Sequence, residues 1–258
     1  MSTALSATSL LAAAITLFSG AVVAADAPQA GGAAYPHGRY AALDARPDWG
    51  GIWTLDFAMP KPGVAPPAQP ALQGSYLSEY QQWQKEVQAT QGDVAHEGSY
   101  CRPPGMPIIM MAPQYPIEFL FTPGRVTIHH EAWMQWRSIY TDGRSHPADL
   151  DATFNGDSTG HWEGTTLVVE TIGIKKLTQI GMGMKHSDQL RVSERIHLDG
   201  ADPNLLLDEM TLVDPQALEK PWTTTLKYKR TRDGQLLEFE CAENDRNPVD
   251  AAGHTGFK

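Results

Sequence analysis

The chain has 258 residues, a formal charge of -10 and a sequence pI near 5.3. That balance argues against nucleic acid as a partner, because holding phosphates needs clustered Lys and Arg, and no such cluster occurs. With only two cysteines, Cys101 and Cys241, a disulfide scaffold or zinc knuckle is excluded, and the length suits one large all-β domain.

Residues 1–25 read as a signal peptide. Ala4 to Ala24 form an uncharged run of Ala, Leu, Ile, Val, Ser and Thr, with small residues before Asp26 that suit cleavage after Ala24 or Ala25. No Lys or Arg precedes the run, so an upstream start, insertion without that charge or an uncut anchor stay open. A cleaved signal makes the protein periplasmic or secreted, touching a membrane only through this export segment. Residues 26–46, rich in Ala, Gly and Pro, read as a flexible linker, and residues 47–258 as a single barrel domain.

The first strand lies in DWGGIWTLDF. MPKPGVAPPAQPALQG cannot be an interior strand, since each Pro lacks an amide donor, and is expected as a covering loop. In SYLSEYQQWQKEVQAT, Tyr76, Tyr80, Trp83 and Val87 fall on one stripe of an amphipathic helix, expected to pack outside the barrel. IEFLFTPGRVTIHHE is a hairpin turning at Pro123-Gly124. WMQWRSIYTDGR, HWEGTTLVVETIG, QLRVSERIHLD, NLLLDEMTLVD, WTTTLKYKRTRDG and QLLEFECAEN continue the meander. Roughly nine or ten sequential strands exceed a comfortable open sheet and predict closure into an antiparallel up-and-down barrel. In an exported protein Cys101 and Cys241 form one disulfide, worth about 4 to 5 kcal/mol by loop-closure entropy.

Alternation sorts the faces. In QLRVSERIHLD, Leu190, Val192, Glu194, Ile196 and Leu198 share one face, so Glu194 stands in an apolar row. In TTLVVETIGI, Glu170 lies within an otherwise apolar strand. An inward carboxylate is a candidate acid or base, or half of an ion pair with Arg137, or it is turned outward by a bulge. Read as one strand, VTIHHEAWMQWRSIY puts Ile128, His130, Trp136 and Tyr140 on one face and His129, Trp133, Arg137 and Ile139 on the other. That mixture suits the lining of a small-ligand pocket.

FNGDSTGHWEGTTLVVE crowds Asn155, Asp157, Ser158, His161 and Glu163 at the mouth of a hairpin turning at Glu163-Gly164. YTDGRSHPADLDATF adds Asp142, Arg144, His146, Asp149 and Asp151. No nucleophile elbow, phosphate loop, zinc helix or dinucleotide fingerprint occurs. The acidic loop lacks calcium spacing, and GMGMKH offers Met182, Met184 and His186 as soft copper ligands, though methionines more often fill cores. Neither a metal nor a cofactor is expected. The expected chemistry is acid–base: His146, beside Asp149, exchanges a proton with Glu170 or Glu194, and Arg137 holds an anionic group. Trp133, Trp136, Tyr140, His161, His186 and Arg191 are the expected ligand-binding residues. Together they suit an exported lyase or isomerase acting on a small organic substrate. A noncatalytic carrier of an apolar ligand and a structural envelope protein are the alternatives.

YTDGRSHPADLDATFNGDSTGHWEGTTLVVET, with CRPPGMP, EFLFTPGRVTI, DPQALEKPWTTT and CAENDR, resembles a family of exported bacterial proteins that brings no activity with it. GIWTLD followed by a meander also resembles lipocalin-like barrels, which implies a lipocalin-like fold and nothing of function.

Overall fold

Each alternating segment carries one apolar face, and the computed structural model buries those faces by closing nine strands, in sequence order, into a barrel. It describes residues 43, 45–56, 68–92, 94, 101–112 and 114–240, all within the unit Gly38–Lys258. The expected signal peptide, most of the expected linker, most of the Pro-rich loop and Cys241 of the expected disulfide lie outside the described residues.

The strands are β1 (Ile52–Leu55), β2 (Ile117–Thr122), β3 (Arg125–His130), β4 (Gln135–Tyr140), β5 (Asp157–Glu163), β6 (Thr166–Ile172), β7 (Arg191–Leu198), β8 (Leu205–Val213) and β9 (Trp222–Thr231). The ring closes where β9 pairs antiparallel with β1. A ring with an odd number of strands cannot be antiparallel at every joint, because the directions fail to match once around. Here the mismatch falls between β4 and β5, which run parallel and share only the pairs Ile139 with Ser158 and Tyr140 with Thr159. The expectation of a wholly antiparallel meander is corrected at this seam.

A second correction concerns VTIHHEAWMQWRSIY, which is two strands rather than one. The chain reverses through a short 3-10 turn, Ala132–Met134, with Trp133 at φ 53° and Met134 at φ 48°. The resulting register sets Ile128 opposite Arg137 and Val126 opposite Ile139, so even-numbered residues of β3 share a face with odd-numbered residues of β4. Arg137 and Ile139 therefore point inward with Ile128 and His130, while Trp136 and Tyr140 point outward.

QLLEFECAEN adds no strand within its described residues, because β9 already meets β1 and leaves no free edge. Instead Leu237 N donates to Glu131 Oε2 at 2.8 Å, and Phe239 packs on Tyr115 and Trp133 beside the β3–β4 turn.

The helix α1 spans Gly74–Ala89 as its stripe predicts, and Tyr76 and Tyr80 pack against the core. Trp83 lies over Gly183, where a Cβ would come within 2.3 Å of the indole, so glycine alone lets the helix approach. At the helix start, Gln73 Nε2 donates to Pro215 O and Leu218 O at 2.8 and 2.9 Å. Among the described residues no helix is long and apolar enough to cross a membrane. The core inside the ring is built on Trp53, Ile128, Ile139, Leu167, Val192, Ile196, Leu206 and Met210, all buried. Each such side chain contributes about 1.5 to 3 kcal/mol by leaving water.

Candidate functional site

Polar groups are gathered in two places, one on each side of the barrel wall. Inside, β7 alternates as its sequence predicts, with Val192, Glu194 and Ile196 buried and Arg191, Ser193 and Arg195 exposed. Glu194 meets the Arg137 guanidinium as an ion pair. Arg137 Nη1 donates to Glu194 Oε1 at 2.7 Å, and Nη2 donates to Oε2. Nη2 also donates to Thr171 Oγ1 at 2.9 Å, and Nε to Ser158 Oγ at 3.3 Å. Burial works against the guanidinium's charge, but Glu194 more than offsets it, and the Arg137 pKa is raised.

Asp208 of β8 lies beside this pair. Burial first, and the Glu194 charge second, push its pKa well up, and neither carboxyl oxygen has a hydrogen-bond partner. His130 is buried with neither ring nitrogen hydrogen-bonded. Burial, then the charge of Arg137, push its pKa down to about 3. It is a neutral imidazole at physiological pH. Tyr228 completes the group, its hydroxyl donating to Met110 O.

Outside, the sparse pairing of β4 with β5 lets the chain separate before the seam, and a cleft of about 390 Å³ opens there. Its size is that of a small-molecule site. Trp136, Ser138, Tyr140, Phe154, Asn155 and Asp157 supply its wall. Gly156 makes the turn into β5 at φ +68°, and a Cβ there would come within 2.6 Å of Ile172 O. Glycine at this position sets the direction in which Asp157 leaves the chain.

Asp157 holds His146, which lies on the connection between β4 and β5. His146 Nδ1 is 2.5 Å from Asp157 Oδ1, and since a carboxylate only accepts, Nδ1 carries the proton and donates it. Nε2 is left facing Thr159 Oγ1 at 3.2 Å and Glu170 Oε2 at 3.7 Å. Glu170 Oε1 in turn accepts from Arg191 Nη1 at 2.6 Å. The His146 side chain is 15% exposed and that of Glu170 46%. Its carboxylate partner is thus Asp157, where proximity in sequence suggested Asp149.

The expected convergence of His146, Glu170, Glu194 and Arg137 on one pocket is corrected by the register. Glu170 pairs with Ser193, and Val169 with Glu194, so the two glutamates project from opposite faces of the sheet. The structure brings His146 and Glu170 together outside, and Arg137 and Glu194 together inside.

Among the expected ligand-binding residues, Trp136 and Tyr140 line the cleft, and Arg191 reaches the His146 cluster through Glu170. The others lie elsewhere. Trp133 packs on Tyr115 and Phe239. His161 is exposed on β5 and pairs with Glu163 at 3.3 Å. His186 is buried; its Nδ1 donates to Ser187 O at 2.7 Å and its Nε2 meets Thr178 Oγ1 at 2.8 Å. With Met182 exposed, Met184 buried and His186 engaged, GMGMKH does not gather a soft-ligand set. Among the described residues no group of His, Cys, Asp and Glu is placed to hold a metal ion.

Two neighbours of the candidate residues, Thr159 and Asp208, escaped the sequence reading although signals for them existed. The tight Glu163-Gly164 turn sets Glu163 opposite Thr166, which by counting back puts Thr159 opposite Glu170. Asp208 shares its alternation with Leu206, Met210 and Leu212, the same pattern that drew attention to Glu194. No family model matches the chain, and no curated protein matches it.

Proposed function

We propose that the protein is an exported acid–base enzyme, a lyase or isomerase of a small organic substrate, working from the outer cleft with His146 as the proton-transferring group. One observation carries this reading: Asp157, which lines a cleft of substrate size, holds His146 through Nδ1, while Nε2 meets Thr159 and Glu170. Nε2 takes a proton from a carbon next to a carbonyl, forming an imidazolium between Asp157 and Glu170. It then returns that proton to another atom of the same molecule in an isomerisation. In an elimination, the proton leaves with the departing group. Asp157 is a positioning residue that keeps the tautomer and ring orientation.

The export-type segment at residues 1–25 and the resemblance to exported proteins support a periplasmic or secreted location. The next-neighbour strand order supports a lipocalin-like relationship. The Cys101–Cys241 disulfide belongs to the same proposal, and two free thiols in non-reducing mass spectrometry of the exported protein would overturn it. The exposure of Trp136 favours a second reading, a noncatalytic carrier that holds its ligand in the same cleft.

The experiment that separates them is solvent-deuterium exchange. Purified protein in D2O is screened by NMR against small carbonyl compounds, hydroxy acids and sugars. A base of this kind labels the substrate at carbon even when no net product accumulates. Wild type is expected to exchange at least one compound and His146→Ala to lose about 100-fold of the rate. Absence of exchange in wild type, or an unchanged rate in the variant, sinks the enzymatic reading.

A further inference from the structure

We propose that the cleft between β4 and β5 binds a neutral sugar ring, stacked flat on the open face of Trp136. This names the substrate class of the acid–base reading and rests on that reading only in taking this cleft as the substrate site.

Trp136 is 53% exposed on the outer wall. Its ring lies parallel to the His129 imidazole, with centroids 3.8 Å apart and planes 6° apart. One face of the indole is thereby covered and the ring is fixed, while the same side chain lines the cleft. A tryptophan clamped on one side presents a flat apolar surface on the other. The C–H face of a pyranose is apolar and its hydrogens carry partial positive charge, so it packs on the negative face of an aromatic ring.

The polar groups beside the platform select hydroxyls. Asn155 Nδ2 donates to Trp136 O at 3.2 Å, which fixes the amide beside the platform, while its Oδ1 is buried. The Asp157 carboxylate and the Ser138 side chain share the cleft. Acceptors of this kind are met by the hydroxyl donors around the edge of a sugar. Charge narrows the class further. Arg144 stands 3.9 Å over the Tyr140 ring and Lys175 5.0 Å over the Phe154 ring, and both rings line the cleft. Arg144 is neutralised by Asp142 at 2.6 Å, which leaves Lys175 to disfavour an ammonium ligand and Asp157 to disfavour a carboxylate or phosphate. A neutral polyhydroxylated ring meets the aromatic face and the oxygens of Ser138 and Asp157 together. A reducing sugar in its open-chain form also carries a C–H next to a carbonyl, the bond on which a His146 base acts.

The test is a titration of the purified protein with glucose, galactose and mannose, with glucuronate and with benzylamine, followed by tryptophan fluorescence and saturation-transfer NMR. A neutral hexose is expected to bind best, with affinity reduced about tenfold in Trp136→Ala and largely kept in Trp136→Phe. Far-UV circular dichroism checks that both variants are folded. The proposal fails if no neutral hexose binds, if glucuronate or benzylamine binds more tightly, or if Trp136→Ala binds like wild type. Binding of a neutral hexose without deuterium exchange in any compound supports the sugar site and overturns the catalytic reading. Exchange on a non-sugar compound with no hexose bound overturns the sugar site and leaves the catalytic reading standing.

Discussion

Inside the barrel, Arg137, Glu194, Asp208 and His130 are all buried; on the outer wall, His146, Asp157, Thr159 and Glu170 form a second polar cluster that is only partly buried. In the inner set Arg137 spends its donors on Glu194, Thr171 and Ser158, while the polar atoms of His130 and Asp208 are buried without hydrogen-bond partners. The outer set meets the cleft through the Asp157 carboxylate. Perturbed pKa values and unpartnered buried atoms occur in the first set, whereas the second is the one that borders ligand-sized space.

The comparison breaks most sharply at Glu194. Glu194→Gln leaves the Arg137 charge buried and without its counterion, and the unfolding free energy is expected to fall by about 3 to 5 kcal/mol in chemical denaturation. A loss below 1 kcal/mol would mean that the inner pair is not structural. His146→Ala is expected to do the reverse, lowering deuterium exchange about 100-fold, equivalent to about 2.7 kcal/mol, with little change in the denaturation midpoint. A large loss of stability without a change in exchange would invert the assignment of the two regions.

Acidity sharpens the contrast within the inner set. The folded pKa of His130 lies at about 3 against an ordinary value of 6.5, so the unfolded chain binds its proton first as pH falls. Its contribution to stability is full above the unfolded value and is lost as pH drops toward the folded one, at a slope of about 1.4 kcal/mol per pH unit. The stability difference between wild type and His130→Gln, measured by denaturation from pH 7 to pH 4, is expected to narrow at about that slope. Asp208 acts with the opposite sign. Its raised folded pKa makes its contribution full below the unfolded value of 3.8 and lost as pH rises, so Asp208→Asn is expected to gain on wild type toward neutral pH. Parallel stability curves for either variant and wild type would count against its buried titration.

The smallest effect is expected on the surface. Arg191 and Glu170 are each about half exposed, and such a pair is worth about 0.2 to 1 kcal/mol. Arg191→Ala should shift the denaturation midpoint barely at all. A loss comparable to that at Glu194 would show that burial is not what separates the two ion pairs.

The contrast between the two regions was partly legible along the chain. Glu194 announced itself by standing between Val192 and Ile196, and Asp208 carried the same signature between Leu206 and Met210. The polar run Asn155 to Glu163 marked the outer site, and the Glu163-Gly164 turn fixed its strand pairing. Trp136 and Tyr140 were placed beside the wrong neighbours because a reversal at Trp133 and Met134 interrupts a continuous apolar and aromatic stretch. Neither residue type advertises positive φ, so nothing local marked the turn. The partnership of His146 with Asp157 was hidden for another reason: it depends on how the connection between β4 and β5 folds back, and alternation carries no information about loops.

What the amino-acid order determined by itself was local: the inward and outward faces of most strands, the amphipathic helix Gly74–Ala89 and the glycine turns, all consequences of side-chain period and backbone preference. Tertiary structure alone decided where the ring's directional mismatch would fall, and hence that β4 and β5 would run parallel with so few shared pairs. That choice opened the cleft and left His146 to Asp157 outside, while the reversal at Trp133 and Met134 turned Arg137 inward to Glu194. Pairing within a strand's period is a local property of the chain, whereas closure of a ring is a condition on all of its strands at once.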